Sequence, residues 1–454
     1  MTLRSFAFKC ALVLVFLRFS FLPETVAYFT GINTYVLYIF GPPALLGVIA
    51  SGGLKRTFRY APARFWLAFI VYMVLAVPFS SWRGDSIMVV QSYIRTNFIM
   101  LLVTAGLAMT WVECRSMMYA VAAAAIINSA TTHLLINHTA SSERLVLLSR
   151  GMIADPNDLA AHLLLVLPFL LFIVLRRRTP VMFRLIVVAA MADGMFLILR
   201  SGSRGGLIAL IFTLTFILIF GSARQRVAVG ITAPVMLIIL ITLLPGPTWK
   251  RLNSFSKGPE ANEGAVESSE SRRYLLKKSI EFTFKKPFFG VGPGQFSYYE
   301  GGKAVDEGRR GNWHDTHNTY TQISSECGIP ALVFYLGALI STFVILRKIQ
   351  KKATKMYKEE IVTATFCITL GLIAYSAASM FLTLAYMFQW PAISGLVIAI
   401  WRSVSKDRPS PGSDNILTEH ADPEGAEMSE KSLGTEAVSE VALWGEGQSD
   451  PFGD

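Results

Sequence analysis

Residues 314–320, HDTHNTY, place two histidines, an aspartate, an asparagine and a tyrosine within seven positions, directly ahead of a long apolar run. A neutral imidazole near pH 7 takes the proton of an attacking hydroxyl, and a flanking carboxylate or amide orients the ring. His314 and His317 are therefore candidate general bases, with Asp315 beside them. Asn318 and Tyr320 supply neutral hydrogen-bonding groups of the kind that hold sugars, and with His314 they form the candidate glycan- or acceptor-binding set. Zinc is the weaker use of His314, Asp315 and His317, because no distant Cys or Glu-x-x-His supplies the rest of a ligand set. Cys10, Cys114, Cys327 and Cys367 are scattered, without metal-ligand or disulfide spacing. No metal ligand and no cofactor is assigned.

A second cluster is LRSGSRGGLIAL (199–210). Arg200 and Arg204 are four apart and share a face if one helix runs through both. Serines and glycines surround them and leave backbone donors open. Guanidinium groups beside open N–H groups at a helix N-terminus are what a diphosphate requires. Snorkelling to headgroups is the alternative use of the same arginines. A third stretch, RGMIADPNDLAAH (150–162), starts a span at Asp155 and Pro156, with Asn157 and Asp158 as capping candidates. Asp155 and Asn157 also join the glycan- or acceptor-binding candidates. His162, one turn inside, reads as a satisfied core histidine. Arg95 joins the diphosphate-binding candidates from the outer end of its span, and Asp193, deep in another span, is expected to pair with a nearby basic group.

These groups must be positioned by helices in a bilayer. Of 454 residues 53% are hydrophobic and only 16% charged, against about a quarter charged in soluble domains. Apolar runs of the length that crosses a ~30 Å hydrocarbon core fall at roughly 6–24, 30–50, 65–80, 88–110, 116–137, 159–175, 181–199, 206–220, 227–245, 328–346, 361–381 and 384–402. The reading is an all-α polytopic membrane protein of about twelve transmembrane helices, the first an uncleaved span interrupted by Arg18. KRTFRYAPAR (55–64), RRRTPVMFR (176–184), SARQR (222–226) and RKIQKKATKMYK (347–358) follow spans two, six, eight and ten. Short basic loops face the cytoplasm, so both termini are cytoplasmic and the clusters above lie outside. Organisation follows: 1–245 carries helices one to nine, 246–327 a large outer loop, 328–403 helices ten to twelve, and 404–454 an acidic tail too poor in apolar residues to fold. GVGPGQF (290–296) lacks a preceding strand and a following Lys-Ser/Thr, so it is a turn and not a nucleotide site.

With SGSRGGLIAL, SRRYLLKKSIEFTFKKPFFGVGPGQF and HNTYTQISSECGIPALVFYL in this order across the large loop, the chain resembles the O-antigen ligase and polymerase superfamily of membrane glycosyltransferases from about residue 150 to 345. The resemblance implies about twelve helices, with a large periplasmic loop between helices nine and ten, in a bacterial inner membrane. It implies a metal-independent transfer from an undecaprenyl-diphosphate-linked glycan to an acceptor hydroxyl. It puts the catalytic histidine on His317, the Ser-Arg-Gly arginine on Arg204, and the arginine opening the loop helix on Arg272 or Arg273. His314 and the acidic tail depart from the pattern.

The residues suit that chemistry. Diphosphate is a stable anionic leaving group, so charge stabilisation by Arg200, Arg204, Arg272 or Arg273, and Arg95 matters more than a general acid. The segment 271–292 reads as an amphipathic helix, with Tyr274, Leu275, Ile280, Phe282 and Phe284 apolar, able to cover a lipid-linked substrate at the interface. Expected partners are the lipid-linked glycan, a lipid or glycan acceptor and membrane lipid, and not nucleic acid. A polymerase adding one carrier-linked glycan to another is the rival within the class. A small-anion transporter is the rival outside it, though transporters gather polar residues at the midplane.

Overall fold

The computed structural model describes residues 3–137, 145–148, 155–176, 179–223, 225–227, 229–230, positions 238, 242, 244, 246 and 248, and residues 263–311, 313–356 and 359–406. Helices α1 (Leu3–Ser20) and α2 (Leu22–Thr30) meet at a 65° bend, where Phe21 takes a left-handed conformation and Pro23 opens the second helix. There follow α3 (Val36–Ala50), α4 (Gly53–Phe58), α5 (Ala61–Ala76) and α6 (Arg83–Tyr93). A π-turn at Ile94–Phe98 joins α6 to α7 (Ile99–Leu107). Next come α8 (Trp111–Leu135), α9 (Pro156–Leu175), α10 (Val181–Arg200), α11 (Arg204–Phe220), α12 (Glu263–Lys285) and α13 (Phe296–Asp306). The last four are α14 (Thr319–Cys327), α15 (Ile329–Met356), α16 (Glu359–Ala378) and α17 (Gln389–Lys406). Among the described residues the β pairing is one isolated bridge, Ile136 with Leu147.

The described residues are therefore all-helical apart from that bridge. Among the described residues seven helical segments are long and apolar enough to cross a membrane, and the bent α1–α2 pair makes eight; these residues alone do not bring the count to the expected twelve. The runs expected at 30–50 and 206–220 form the shorter apolar helices α3 and α11, and the run at 384–402 does not begin its helix until Gln389. The run at 227–245 lies largely outside the described residues, as do the tail from 407 onward and the loop residues 249–262.

Burial separates the helices by role. In α9 72% of the apolar window is buried and in α10 only 22%, so α9 is enclosed by protein while α10 turns its apolar side outward. Helix α9 packs on α8, α10, α11 and α16. Its apolar residues run almost without alternation because no side of it meets water. At one end of the bundle, three successive carbonyls closing α7 each receive an arginine: Gly106 from Arg56 (3.1 Å), Leu107 from Arg4 (3.2 Å) and Ala108 from Arg402. Cations at the negative end of a helix are stabilising, and this joint ties α1, α4 and α17 to α7.

The 290–296 turn clasps the loop to the bundle. Val291 and Gly292 donate to the carbonyls of Ser325 and Glu326 (2.9 and 2.8 Å), and Ser81 donates to the Val291 carbonyl through both its backbone (2.9 Å) and its hydroxyl (2.7 Å). Gly292 has φ +113° and sits so close to Ser80 that a Cβ would lie 2.0 Å from its hydroxyl. Gly292→Ala is accordingly expected to cost about 2–5 kcal/mol, from backbone strain plus overpacking. Gly302→Ala, at a helical position with open space around it, is expected to gain a few tenths to about 1 kcal/mol. Paired thermal unfolding of the two variants in detergent checks both signs.

Candidate functional site

The short helix α14 carries the HDTHNTY motif at its start. Asn318 is its N-cap, its side-chain oxygen accepting from the N–H groups of Tyr320 and Thr321 at 3.0 Å each. His317 precedes the cap with φ +50°, an uncommon conformation for a side chain of this size, of the kind that clusters at functional sites. It is half-buried, while His314 and Asp315 are exposed. Protein surrounding Asp315 raises its carboxyl above the ordinary range, with His314 acting against that.

What holds this motif is a segment absent from the sequence reading as an element: 379–388, the non-helical stretch between α16 and α17. Thr319 donates its N–H to Ser379 (2.9 Å) and its hydroxyl to the Leu382 carbonyl (2.7 Å), while that hydroxyl accepts from the Leu384 N–H (3.0 Å). Asn318 donates its amide to Met380 (3.0 Å), the His317 N–H reaches the Thr383 hydroxyl (3.2 Å), and Gln322 accepts from Ala385 (3.2 Å). Tyr320 donates to the Ser376 carbonyl at 3.1 Å. The amide of Asn318 and the hydroxyl of Tyr320 are thus engaged with backbone.

The arginine motif reaches the same segment from another side. Helix α10 ends at Arg200 and α11 starts at Arg204, with Gly202 at φ +63° between them. The continuous helix that would align both arginines on one face is interrupted by the Ser201–Ser203 turn, where Ser203 caps α11 by accepting from Gly206 (3.0 Å). Arg200 lies over the Phe196 ring at 6.0 Å. Arg204 occupies the first turn of α11, where open N–H groups favour anions. The adjoining Gly205 packs on Phe381, so closely that a Cβ would come within 2.9 Å. His317 and Arg204 therefore flank one short stretch, Met380–Thr383.

Two more elements reach the motif or the 379–388 segment. Asp155, rather than Asn157 or Asp158, caps α9: its carboxylate accepts from the Asn157 N–H (2.7 Å) and side-chain amide (2.8 Å). Asp158 lies in electrostatic range of both Asp155 and Asp315, so α9 begins beside the motif. Arg95 sits in the π-turn, its guanidinium 5.7 Å from the Tyr38 ring, and nearby Asn97 donates to the Tyr386 carbonyl.

Glu326, at the far end of α14, was not assigned from sequence. It is 2% exposed and accepts from Tyr386 (2.6 Å), Gly294 (3.0 Å) and Phe296 (3.3 Å). Burial outweighs those donors and pushes its carboxyl up to about 7. It joins the 290–296 turn, α14 and the 379–388 segment in one buried joint. A lone acid between a short polar helix and an apolar span was the available signal.

In the loop helix α12, Leu275, Ser279 and Phe282 are buried while Leu276, Ile280 and Phe284 are exposed. The apolar residues therefore form two stripes, one packed on α13 and α14 and one open. Arg272 lies on the packed side, one turn before Leu275, and Arg273 is exposed in line with Leu276 and Ile280. His162 is buried, hydrogen-bonded to the Phe19 carbonyl (2.9 Å) and the Gln389 amide (3.3 Å). Asp193 pairs with His133 at 2.8 Å. The four cysteines are buried and free. Among the described residues no three His, Cys, Asp or Glu side chains are grouped as metal ligands would be.

Residues 189–336 match the family model described as O-antigen ligase. No curated protein matches the chain.

Replacing Thr319 by Val removes one hydroxyl and strands a buried carbonyl and a buried N–H, which is expected to cost about 2–4 kcal/mol. Thr321→Val, losing one local 3.4 Å bond, is expected to stay within about 1 kcal/mol; chemical unfolding of both variants measures the difference. Because the Glu326 carboxyl is raised in the folded chain, its contribution is fully present below the unfolded value of about 4.5 and fades as pH rises through about 7. The melting-temperature advantage of wild type over Glu326→Gln should therefore shrink between pH 5 and pH 8.

Proposed function

Taking as premise that residues 189–336 form a domain of the O-antigen ligase/polymerase superfamily, we propose that the chain is an O-antigen ligase-type glycosyltransferase. It moves a glycan from undecaprenyl diphosphate to an acceptor hydroxyl at the periplasmic face of the bacterial inner membrane. The family match supports ligase- or polymerase-type function. The observation that carries the finer reading is the convergence of the Arg204 turn and the His317 cap on Met380–Thr383.

In this reading His317 accepts the proton of the acceptor hydroxyl as that oxygen bonds to the anomeric carbon. The bond from that carbon to phosphate breaks with inversion, and the diphosphate leaves as an anion. Arg204, Arg200 and Arg272 hold its charge, each charge-assisted hydrogen bond being worth roughly 1.5–3 kcal/mol. Arg272 is preferred to Arg273 because it lies on the side of α12 packed toward α14. Proton transfer by His317 contributes about 10²–10⁴ in rate. Asn318 and Tyr320 fix the backbone that carries the base, and the exposed His314 and Asp155 stand at the rim where a glycan or acceptor would enter, with the buried Asn157 holding the Asp155 carboxylate. The bent α1–α2 pair, α3, α11, α17 and the 227–245 stretch bring the span count to twelve, with both termini cytoplasmic.

The test is a reconstituted assay with polyprenyl-diphosphate-linked oligosaccharide and candidate acceptors, with chelator and without nucleotide. Wild type should transfer the glycan to one acceptor molecule, and His317→Ala and Arg204→Ala should each lose at least about 10² of that rate. Arg272→Ala should lose about tenfold more than Arg273→Ala. A ladder of growing chains on the carrier would make the protein a polymerase. No transfer by wild type, or full activity in both of the first two variants, would sink the site and favour a transporter.

A further inference from the structure

Helix α12 leaves its second apolar stripe open. Leu276, Ile280 and Phe284 recur every four residues and so share one face. Exposure along that face rises from 36% at Leu276 to 73% at Phe284, and Phe288, just past the helix end, is 67% exposed. A contiguous row of large, exposed apolar side chains marks a contact surface. The opposite side is engaged: Leu275, Ser279 and Phe282 are buried, and the Thr283 hydroxyl shares a 2.8 Å hydrogen bond with that of Ser324 on α14.

The open stripe ends against two helices of spanning length. The Phe288 carbonyl accepts from the Tyr72 hydroxyl of α5 at 2.8 Å, and the N–H of Ile329, the first residue of α15, donates to the Pro287 carbonyl at 2.7 Å. Phe289 stacks on Phe79, their rings 4.1 Å apart. Both α5, with its extension to Phe79, and α15 are long and apolar enough to cross a membrane. Tyr72 lies seven residues before Phe79, so Phe288 is level with a point about 10 Å inside the end of that span. Exposed apolar side chains flank these joints: Val71 beside Tyr72, Leu75 one turn on, and Val333 one turn after Ile329.

Toward the helix start the same face turns basic. Arg273 and Lys277, both exposed, lie in line with Ile280 and Phe284, roughly 10–16 Å before the latter along the helix. Lys278 and Lys285 share the Glu281 carboxylate at 3.0 and 2.5 Å. Among the described residues Arg273 and Lys277 have no such carboxylate. Apolar side chains beside the spans, then cations farther out, follow the order in which a bilayer presents acyl chains and then phosphates.

We propose that the open face of α12 is a membrane anchor, inserted obliquely into the leaflet on the His317 side of the bundle. Ile280, Phe284 and Phe288 enter the acyl boundary, and Arg273 and Lys277 contact the phosphates of anionic lipid. The occupant is the bilayer itself, not the lipid-linked substrate. Because Thr283 ties α12 to α14, the anchor sets the depth of the HDTHNTY motif relative to the lipid phosphates.

The experiment places nitroxide labels on the full chain in nanodiscs, at Leu276→Cys, Phe284→Cys and the off-stripe neighbour Lys285→Cys. The four native cysteines are buried, so labelling is confined to the new thiol. The ratio of oxygen to nickel-chelate collision rates reads depth. Without donor, that ratio at position 284 should exceed the one at 285 at least about threefold. At 276 it should rise about twofold when phosphatidylglycerol replaces phosphatidylcholine, and Arg273→Gln/Lys277→Gln should abolish the rise. Equal ratios at 284 and 285 would overturn the anchor, and a ratio at 276 indifferent to phosphatidylglycerol would overturn the phosphate contacts. A high ratio at 284 only after polyprenyl-diphosphate-linked glycan is added would overturn it in favour of a substrate cover. Dipolar broadening at 284 in nanodiscs holding two chains, absent from those holding one, would overturn it in favour of a face between copies.

Discussion

The two-sided engagement of Thr319 with the break between α16 and α17 is the interaction on which the candidate site depends. A ten-residue stretch outside regular helix, Ser379–Phe388, joins α16 to α17. Backbone groups left unpaired there would each cost several kcal/mol where water is scarce. Irregular backbone survives at such depth only if protein satisfies it. Thr319, Asn318 and Gln322 provide that satisfaction through their hydroxyl, amide and backbone groups, and the Thr383 hydroxyl returns a bond to the His317 N–H. The bonds that keep the break folded also hold His317 at φ +50°, so the position of its imidazole and local stability are one property.

The rest of the molecule supports this joint from both sides. Glycine close contacts at Gly290 and Gly292 let the loop turn come down onto α14 and Ser80, and the Glu326 carboxylate ties that turn to Tyr386. Buried α9 and the α11 N-terminus close the opposite flank, with Gly206 against Ala160 and Gly205 against Phe381. At the other end of the bundle, arginines on the carbonyls of Gly106, Leu107 and Ala108 fix α17. Because α17 begins where the segment ends, that anchorage limits how far Phe388 and Gln389 can move.

Chemistry was more legible in the sequence than geometry. Residue types marked the pairs His314/His317 and Arg200/Arg204, because a histidine-rich cap before an apolar run and arginines among glycines stand out from membrane composition; the choice of His317 and Arg204 within them came from the family resemblance. The buried state of His162, and that Asp193 has a basic partner, also followed from their places in apolar runs. The 379–388 segment was invisible for a physical reason: residues such as Phe381, Leu382, Leu384, Tyr386 and Phe388 are as apolar as those of a span, and hydropathy does not register missing helical bonds. Pro391, in the first turn of α17, was the surviving cue that a helix begins there. Arg200 and Arg204 share a face only if one helix runs through both, and the Ser-Gly-Ser between them is a turn signal. Choosing between Arg272 and Arg273 required the packing of α12, which two adjacent identical residues cannot encode.

The central claim is that a lipid-linked diphosphate sits against Met380–Thr383 between Arg204 and His317. Its most direct test is photocrosslinking with p-benzoylphenylalanine in place of Phe381 and, as a control, of the exposed Phe183 at the start of α10, using a polyprenyl-diphosphate-linked glycan in nanodiscs. A covalent adduct at position 381 that disappears in the Arg204→Ala background, with none at position 183, is the expected result. Adducts of equal yield at both positions, or none at 381 while the donor is bound, would contradict it.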